Sequence, residues 1–107
     1  MLSPKRFCQA MSIDLQTLAG QAHVNRNTIT RAPGSRGVQE FLREALRVIK
    51  AAADLNGGEL PKALFWYRTE RLSAFGYKTT AERLVCEGPT DDVLRYVASL
   101  EGGGAAE

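Results

Sequence analysis

The stretch from Asp14 to Arg31, DLQTLAGQAHVNRNTITR, constrains this 107-residue chain more than any other. It holds two helix starts, Asp14 and Asn25, and each side chain can accept a hydrogen bond from the unpaired amides of the first turn that follows. Ile13 with Leu18, and Val24 with Ile29, have the spacing of hydrophobic staples that fix how the chain enters each helix. Starts so close together leave room for a turn of only about three or four residues, so the spacing predicts two short helices folded against each other. Ile13, Leu15, Leu18, Ala19, Ala22, Val24 and Ile29 can supply the packing. His23 falls at the turn, where a left-handed backbone favours glycine, although His is among the better tolerated alternatives.

That packing leaves Arg26, Asn27, Thr30 and Arg31 unused on the second helix. These are residue types that contact phosphates and base edges in a DNA major groove. Arg26, at the helix start, suits a phosphate. Asn27 matches adenine, Thr30 a thymine methyl or an acceptor, and Arg31 either guanine or phosphate. Gln16, at the start of the preceding helix, is a candidate clamp on the DNA backbone. Arg36 lies in a stretch, residues 32–37, that reads as a loop rich in Gly, Pro and Ser, free to reach a phosphate. One unit of this size buries little surface, so useful affinity calls for a homodimer on two half-sites about 34 Å apart.

Charge leans the same way. The chain carries a net charge of +2, but Lys5, Arg6, Arg26, Arg31 and Arg36 face a single acid, Asp14, in the first 36 residues. The remainder is acidic on balance. A basic first third beside an acidic remainder suits a chain whose first part meets nucleic acid and whose second part does not.

Nearly all the rest reads as helix. Ser3-Pro4 is a helix start, with Ser as cap and Pro at the first helical position, for a helix to about residue 11. From residue 38 to about 56 runs the longest helix, with Val38, Phe41, Leu42, Ala45, Val48, Ile49, Ala52 and Leu55 at helical spacing and Leu46 and Ala53 widening the apolar face. Glu40 with Arg43 is one expected pair along its polar side. Gly57-Gly58 ends it. Pro61 opens a helix containing Leu64, Phe65, Trp66 and Tyr67, and an aromatic turn follows with Phe75 and Tyr77. Thr79 and Glu82 are spaced as a capping box for a helix to about residue 86. Thr90 caps the last helix, which Gly102-Gly103-Gly104 is expected to stop, leaving a flexible tail. No strand is expected. The expected organisation is therefore all-α: a helix-turn-helix bundle over 1–37, a connecting helix over 38–58 and a small helical lobe over 59–107.

An enzyme reading finds little support. His23 is the only histidine, so neither an imidazole relay nor a multi-histidine metal site can form. Asp91 and Asp92 fit the positive end of a helix dipole. The glycines punctuate helices rather than following a strand as a phosphate loop would. No cofactor and no metal are expected, and Cys8 and Cys86 read as isolated, reduced thiols of a cytoplasmic protein. No apolar run is long enough for a membrane span, and the start lacks a signal-peptide stretch.

Two segments taken together resemble a known family. Leu18-Ala19, Val24, Arg26 and Thr28-Ile29 resemble the Xre-type helix-turn-helix. Residues 64–104, with Phe65-Trp66, Leu72, Phe75-Gly76-Tyr77, Thr79, Leu84-Val85, Glu87-Gly88, Val93-Leu94 and the closing glycines, resemble the Xre/MbcA/ParS toxin-binding domain. The chain departs from that pattern at Glu70 and Thr80. The resemblance implies an antitoxin whose N-terminal part represses its own operon by binding double-stranded operator DNA. Its C-terminal lobe and tail would occlude a RES-domain toxin, an enzyme that consumes NAD. On this reading the protein is cytoplasmic and sits on the nucleoid when bound to DNA. Trp66 and Phe75 are expected in the core of the lobe, and Tyr67, Arg68, Arg71 and Tyr77 are the candidates for partner contact. The alternatives are a plain helix-turn-helix regulator whose C-terminal lobe dimerises, and a pure inhibitor whose helix-turn-helix serves only as structure or as a dimer surface.

Overall fold

The structure, a computed structural model, describes residues 1–106, with side chains described through Leu100. It is all-helical, and among the described residues there is no strand, only one isolated antiparallel bridge between Arg71 and Thr80. The chain divides into two compact units, Met1–Glu44 and Ala45–Glu107.

The first unit contains α1 (Pro4–Met11), α2 (Leu15–Ala22), α3 (Arg26–Arg31) and the start of α4 (Arg36–Leu55). Each of the first three helices begins where a short polar side chain meets an amide. The Arg6 N–H donates to Ser3 Oγ at 3.1 Å, the Thr17 N–H to Asp14 Oδ1 at 2.7 Å, and the Asn27 N–H to Asn25 Oδ1 at 2.8 Å. Two of these helices end on left-handed residues other than glycine, Ser12 after α1 and His23 after α2, both at φ 57°. Such a residue costs about 1–2 kcal/mol relative to right-handed backbone. It also lets the Val24 N–H return to the Ala19 carbonyl at 3.0 Å, closing α2 and aiming the chain into α3. Phe7, Cys8, Met11, Leu18, Ala19, Ile29, Val38, Phe41 and Leu42 form the core of this unit. Phe7 meets Phe41 edge to face, with ring centroids 6.1 Å apart.

Gln39 is buried in the same unit and fully used. Its Nε2 donates to the carbonyls of Leu2 and Pro33, and its Oε1 accepts from the Leu2 N–H, all at 2.8 Å. One amide thus ties the N-terminal strap to the loop that follows α3. The loop expected over 32–37 is shorter than the sequence suggested, because α4 already starts at Arg36. A bond from the Gln39 N–H to the Ser35 carbonyl, 3.0 Å, supports that first turn.

The second unit contains the rest of α4, then α5 (Leu60–Thr69), a 3₁₀ turn at Ser73–Phe75, α6 (Ala81–Glu87) and α7 (Thr90–Ala106). Ala45, Val48, Ile49, Ala52 and Ala53 on α4 are buried, as their spacing requires, but Leu46 and Leu55 are exposed. The apolar face of α4 is therefore narrower than its sequence implied. Ala63, Tyr67, Leu72, Ala81, Leu84, Val85, Val93 and Val97 complete the core. The capping box expected from Thr79 and Glu82 is not used. Thr80 caps α6 instead, accepting from the Arg83 N–H at 3.3 Å, because Thr79 gives its carbonyl to the Leu72 N–H at 3.0 Å. α6 ends at Gly88, φ 115°, a backbone only glycine adopts readily. α7 runs past Gly102-Gly103-Gly104, where a stop was expected; glycine weakens a helix but keeps its N–H, so it does not forbid one. The proposed occluding role for the tail beyond Leu100 rests on side chains outside the described residues.

Candidate nucleic-acid interface and a second exposed face

α3 is short, and one residue anchors it: Ile29 is 3% exposed. At about 100° per residue, Asn27 and Arg31 fall opposite Ile29, Thr30 lies to its side, and Arg26 flanks it one turn earlier. All four are exposed, as are Gln16 on α2 and Arg36 on α4. Five of these six expected contact residues keep their assigned setting. Arg36 does not, because it belongs to the first turn of α4 and its Nε donates to Glu40 Oε1 at 2.7 Å. Glu40 was expected to pair with Arg43; taking Arg36 instead leaves that cation less available to a phosphate.

Arg26, Asn27 and Arg31 make no side-chain hydrogen bond or ion pair among the described residues. Thr30 does: its hydroxyl donates to the Asn27 carbonyl at 3.1 Å. Asp14 tempers the charge of this face. Its carboxyl is held below the usual carboxylate range, first by the Thr17 amide and hydroxyl, with Arg26 adding a weaker attraction.

An open cleft of about 950 Å³ runs beside α3. Ile13, Leu15 and Pro33 line it with Arg26, Ile29 and Thr30, and α1 contributes Lys5, Cys8 and Gln9. Exposed Lys5 and Gln9 thus share a surface with the α3 residues, which sequence reasoning missed. The signal lay in α1, whose polar side holds Lys5 and Gln9 at i, i+4, but nothing in the sequence said which way that side turns. Cys8 is buried there, and burial, then the nearby Asp14 carboxylate, push its thiol pKa up, away from reactivity.

In the second unit, the four expected partner-contact residues separate. Tyr67 is wrongly placed among them: it is 0% exposed and is the largest fully buried side chain among the described residues. It stands four residues from Ala63 on the buried stripe of α5, while Phe65 between them points outward, 72% exposed. Trp66 and Phe75, expected in the core, are half-buried. Burial, followed by the Cys86 and Glu82 side chains, drives the Tyr67 phenol pKa far upward, and its hydroxyl has no hydrogen-bond partner among the described residues. Burial also pushes the Cys86 thiol up to about 11.

Arg68, Arg71 and Tyr77 are exposed. Arg68 reaches Glu82, Nε to Oε2 3.5 Å. Arg71 and Tyr77 stand on a pinned loop. The Tyr77 and Phe75 N–H groups both donate to the Leu72 carbonyl at 3.0 Å, Phe75 packs edge to face on Tyr96, and Ser73 Oγ lies 3.0 Å from the Tyr96 hydroxyl. Tyr77 is 64% exposed at φ 59°, so a bulky aromatic is held in a costly left-handed backbone and presented to solvent.

Among the described residues no helix is long and apolar enough to cross a membrane, and no three His, Cys, Asp or Glu side chains gather where they could hold a metal ion. Compared with family models, with characterised proteins and with solved structures, the chain gives no match.

Proposed function

We propose that this protein is a DNA-binding regulator that reads a duplex through α3, and that its second unit docks a protein partner. One observation carries the first half: α3 buries Ile29 and leaves Arg26, Asn27, Thr30 and Arg31 exposed, two cations and two base-reading side chains without an acid among them. A solvated helix face has no need of two capped starts and a left-handed turn that set its angle. Phosphate contacts from the two arginines would position the protein, and Asn27 and Thr30 would meet base edges.

The second half rests on the exposed Phe65, Arg71 and Tyr77, since aromatics and arginine are the residues most often found at the energetic centre of protein interfaces. With the resemblance to Xre/MbcA/ParS antitoxins, this makes a RES-domain toxin the partner we propose, neutralised by occlusion, and the protein the antitoxin and autorepressor of that pair. Arg68, already turned to Glu82, would contribute less than Arg71 and Tyr77.

Two experiments test the halves separately. Selection from a random duplex library by the full chain should enrich one sequence family; uniform recovery would remove the first half. Co-expression with a RES-domain toxin encoded beside this chain should restore growth, and Arg71→Glu with Tyr77→Ala should abolish the rescue while leaving DNA binding intact. Unaltered rescue by that variant would remove the second.

A further inference from the structure

We infer that Thr30 reads a thymine by its 5-methyl group, through its own γ-methyl and not through its hydroxyl. This rests on the reading of α3 as the recognition helix, and two independent observations carry it further. The first is the hydrogen bond within α3. The Thr30 hydroxyl donates to the carbonyl of Asn27 at 3.1 Å, so its only proton is already committed along the helix. A threonine side chain occupies staggered positions, and with Oγ1 turned back to the preceding turn the methyl takes one of the others. A hydroxyl without a free proton cannot donate to the O4 of thymine or to the O6 and N7 of guanine. What remains is a methyl and an acceptor lone pair.

The second observation is the setting. Thr30 borders the open cleft beside α3, and half-buried Ile13, Leu15 and Pro33 form apolar parts of the same wall. A thymine methyl is the one apolar group on any base edge of the major groove. Next to this wall it leaves water for a surface that is already apolar, whereas an amino group from cytosine or adenine would lose its water for a single lone pair. The acceptor alternative inherent in a threonine is thereby disfavoured on both sides of the contact. Asn27, whose side-chain amide is free, is left as the residue that reads by hydrogen bonds.

The test uses the full chain and a duplex that it has itself selected from a random library, with each thymine replaced in turn by dU, which lacks only the 5-methyl group. One thymine in each half-site should weaken binding about four-fold when replaced, the worth of one methyl-sized group withdrawn from water. Thr30→Val keeps the methyl and removes the hydroxyl; it should bind as tightly as the unaltered protein and show the same dU sensitivity. Thr30→Ser keeps the hydroxyl and removes the methyl; it should lose about four-fold and become indifferent to that dU. Thr30 is exposed, so both variants should melt like the parent. Overturning results are equal losses by Thr30→Val and Thr30→Ser, or no thymine that responds to dU on a duplex still held through Arg26 and Arg31. If no duplex is enriched at all, the reading of α3 fails, and this inference with it.

Discussion

Replacing Gln39 with leucine removes the amide that joins the N-terminal strap to the loop after α3. Three hydrogen bonds, all 2.8 Å, are lost together. A typical intramolecular hydrogen bond contributes about 1 kcal/mol net, so their sum is about 3 kcal/mol. Leucine has nearly the volume of glutamine, and its apolar side chain at a position only 7% exposed recovers part of this; about 2 kcal/mol of net destabilisation is the expected result. With a urea m-value of about 1–1.5 kcal/mol per molar for a chain of this size, the midpoint should fall by about 1.3–2 M at unchanged m. The Gln39→Glu variant keeps the shape and changes only the charge and donor capacity. It can still accept from the Leu2 N–H, but places an anion against two carbonyl oxygens, so it should be worse than leucine. Urea titration followed by circular dichroism reads both. A midpoint shift below about 0.3 M for the leucine variant, or a glutamate variant more stable than it, would refute the claim that Gln39 holds this face of the molecule together.

Tyr67→Phe should be neutral or stabilising by about 1 kcal/mol in a thermal melt, because it deletes a buried hydroxyl that has no partner, whereas Tyr67→Ala should cost about 3–5 kcal/mol by leaving a cavity. Gly88→Ala should cost about 1–3 kcal/mol in urea, purely from its backbone, since a Cβ at that position would meet nothing within 4 Å. The Asp14 carboxyl has a pKa lowered by the Thr17 amide, so the cap of α2 contributes stability that is complete above the unfolded carboxylate pKa of about 3.9 and is lost as pH falls through the lower folded value. Protection of the α2 amides, measured against their intrinsic exchange rates, should therefore fall below that pH, and Asp14→Ser, which caps without titrating, should flatten the response.

How much of this was written plainly in the sequence differs between the two units. The α2–turn–α3 geometry follows from local chemistry alone: Asp14 and Asn25 cap, His23 turns, and each acts on residues two to five positions away. The exposed face of α3 follows as soon as Ile29 is known to point inward. The second unit was less legible because its decisive contacts are not local. Whether Phe65, Trp66 or Tyr67 enters the core depends on which side of α5 receives α6, and three adjacent aromatics give no periodicity to decide it. Thr79 and Thr80 are equally good caps in sequence; the pairing of Thr79 with Leu72 across the loop chooses between them. Arg36 failed as a free cation for a similar reason, since starting α4 two residues early put Glu40 one turn above it. Lys5 and Gln9 were invisible as partners of α3 until the cleft placed them there.

If α3 carries the charge that holds DNA, the salt dependence of binding reports it most directly. On the duplex selected by the unaltered protein, the plot of log affinity against log salt concentration should have a negative slope, and Arg26→Ala with Arg31→Ala should make it shallower by about 2, one counterion for each lost phosphate contact. An unchanged slope in the double variant, with the fold intact, would mean that these two arginines are a solvated surface and that the protein does its work elsewhere.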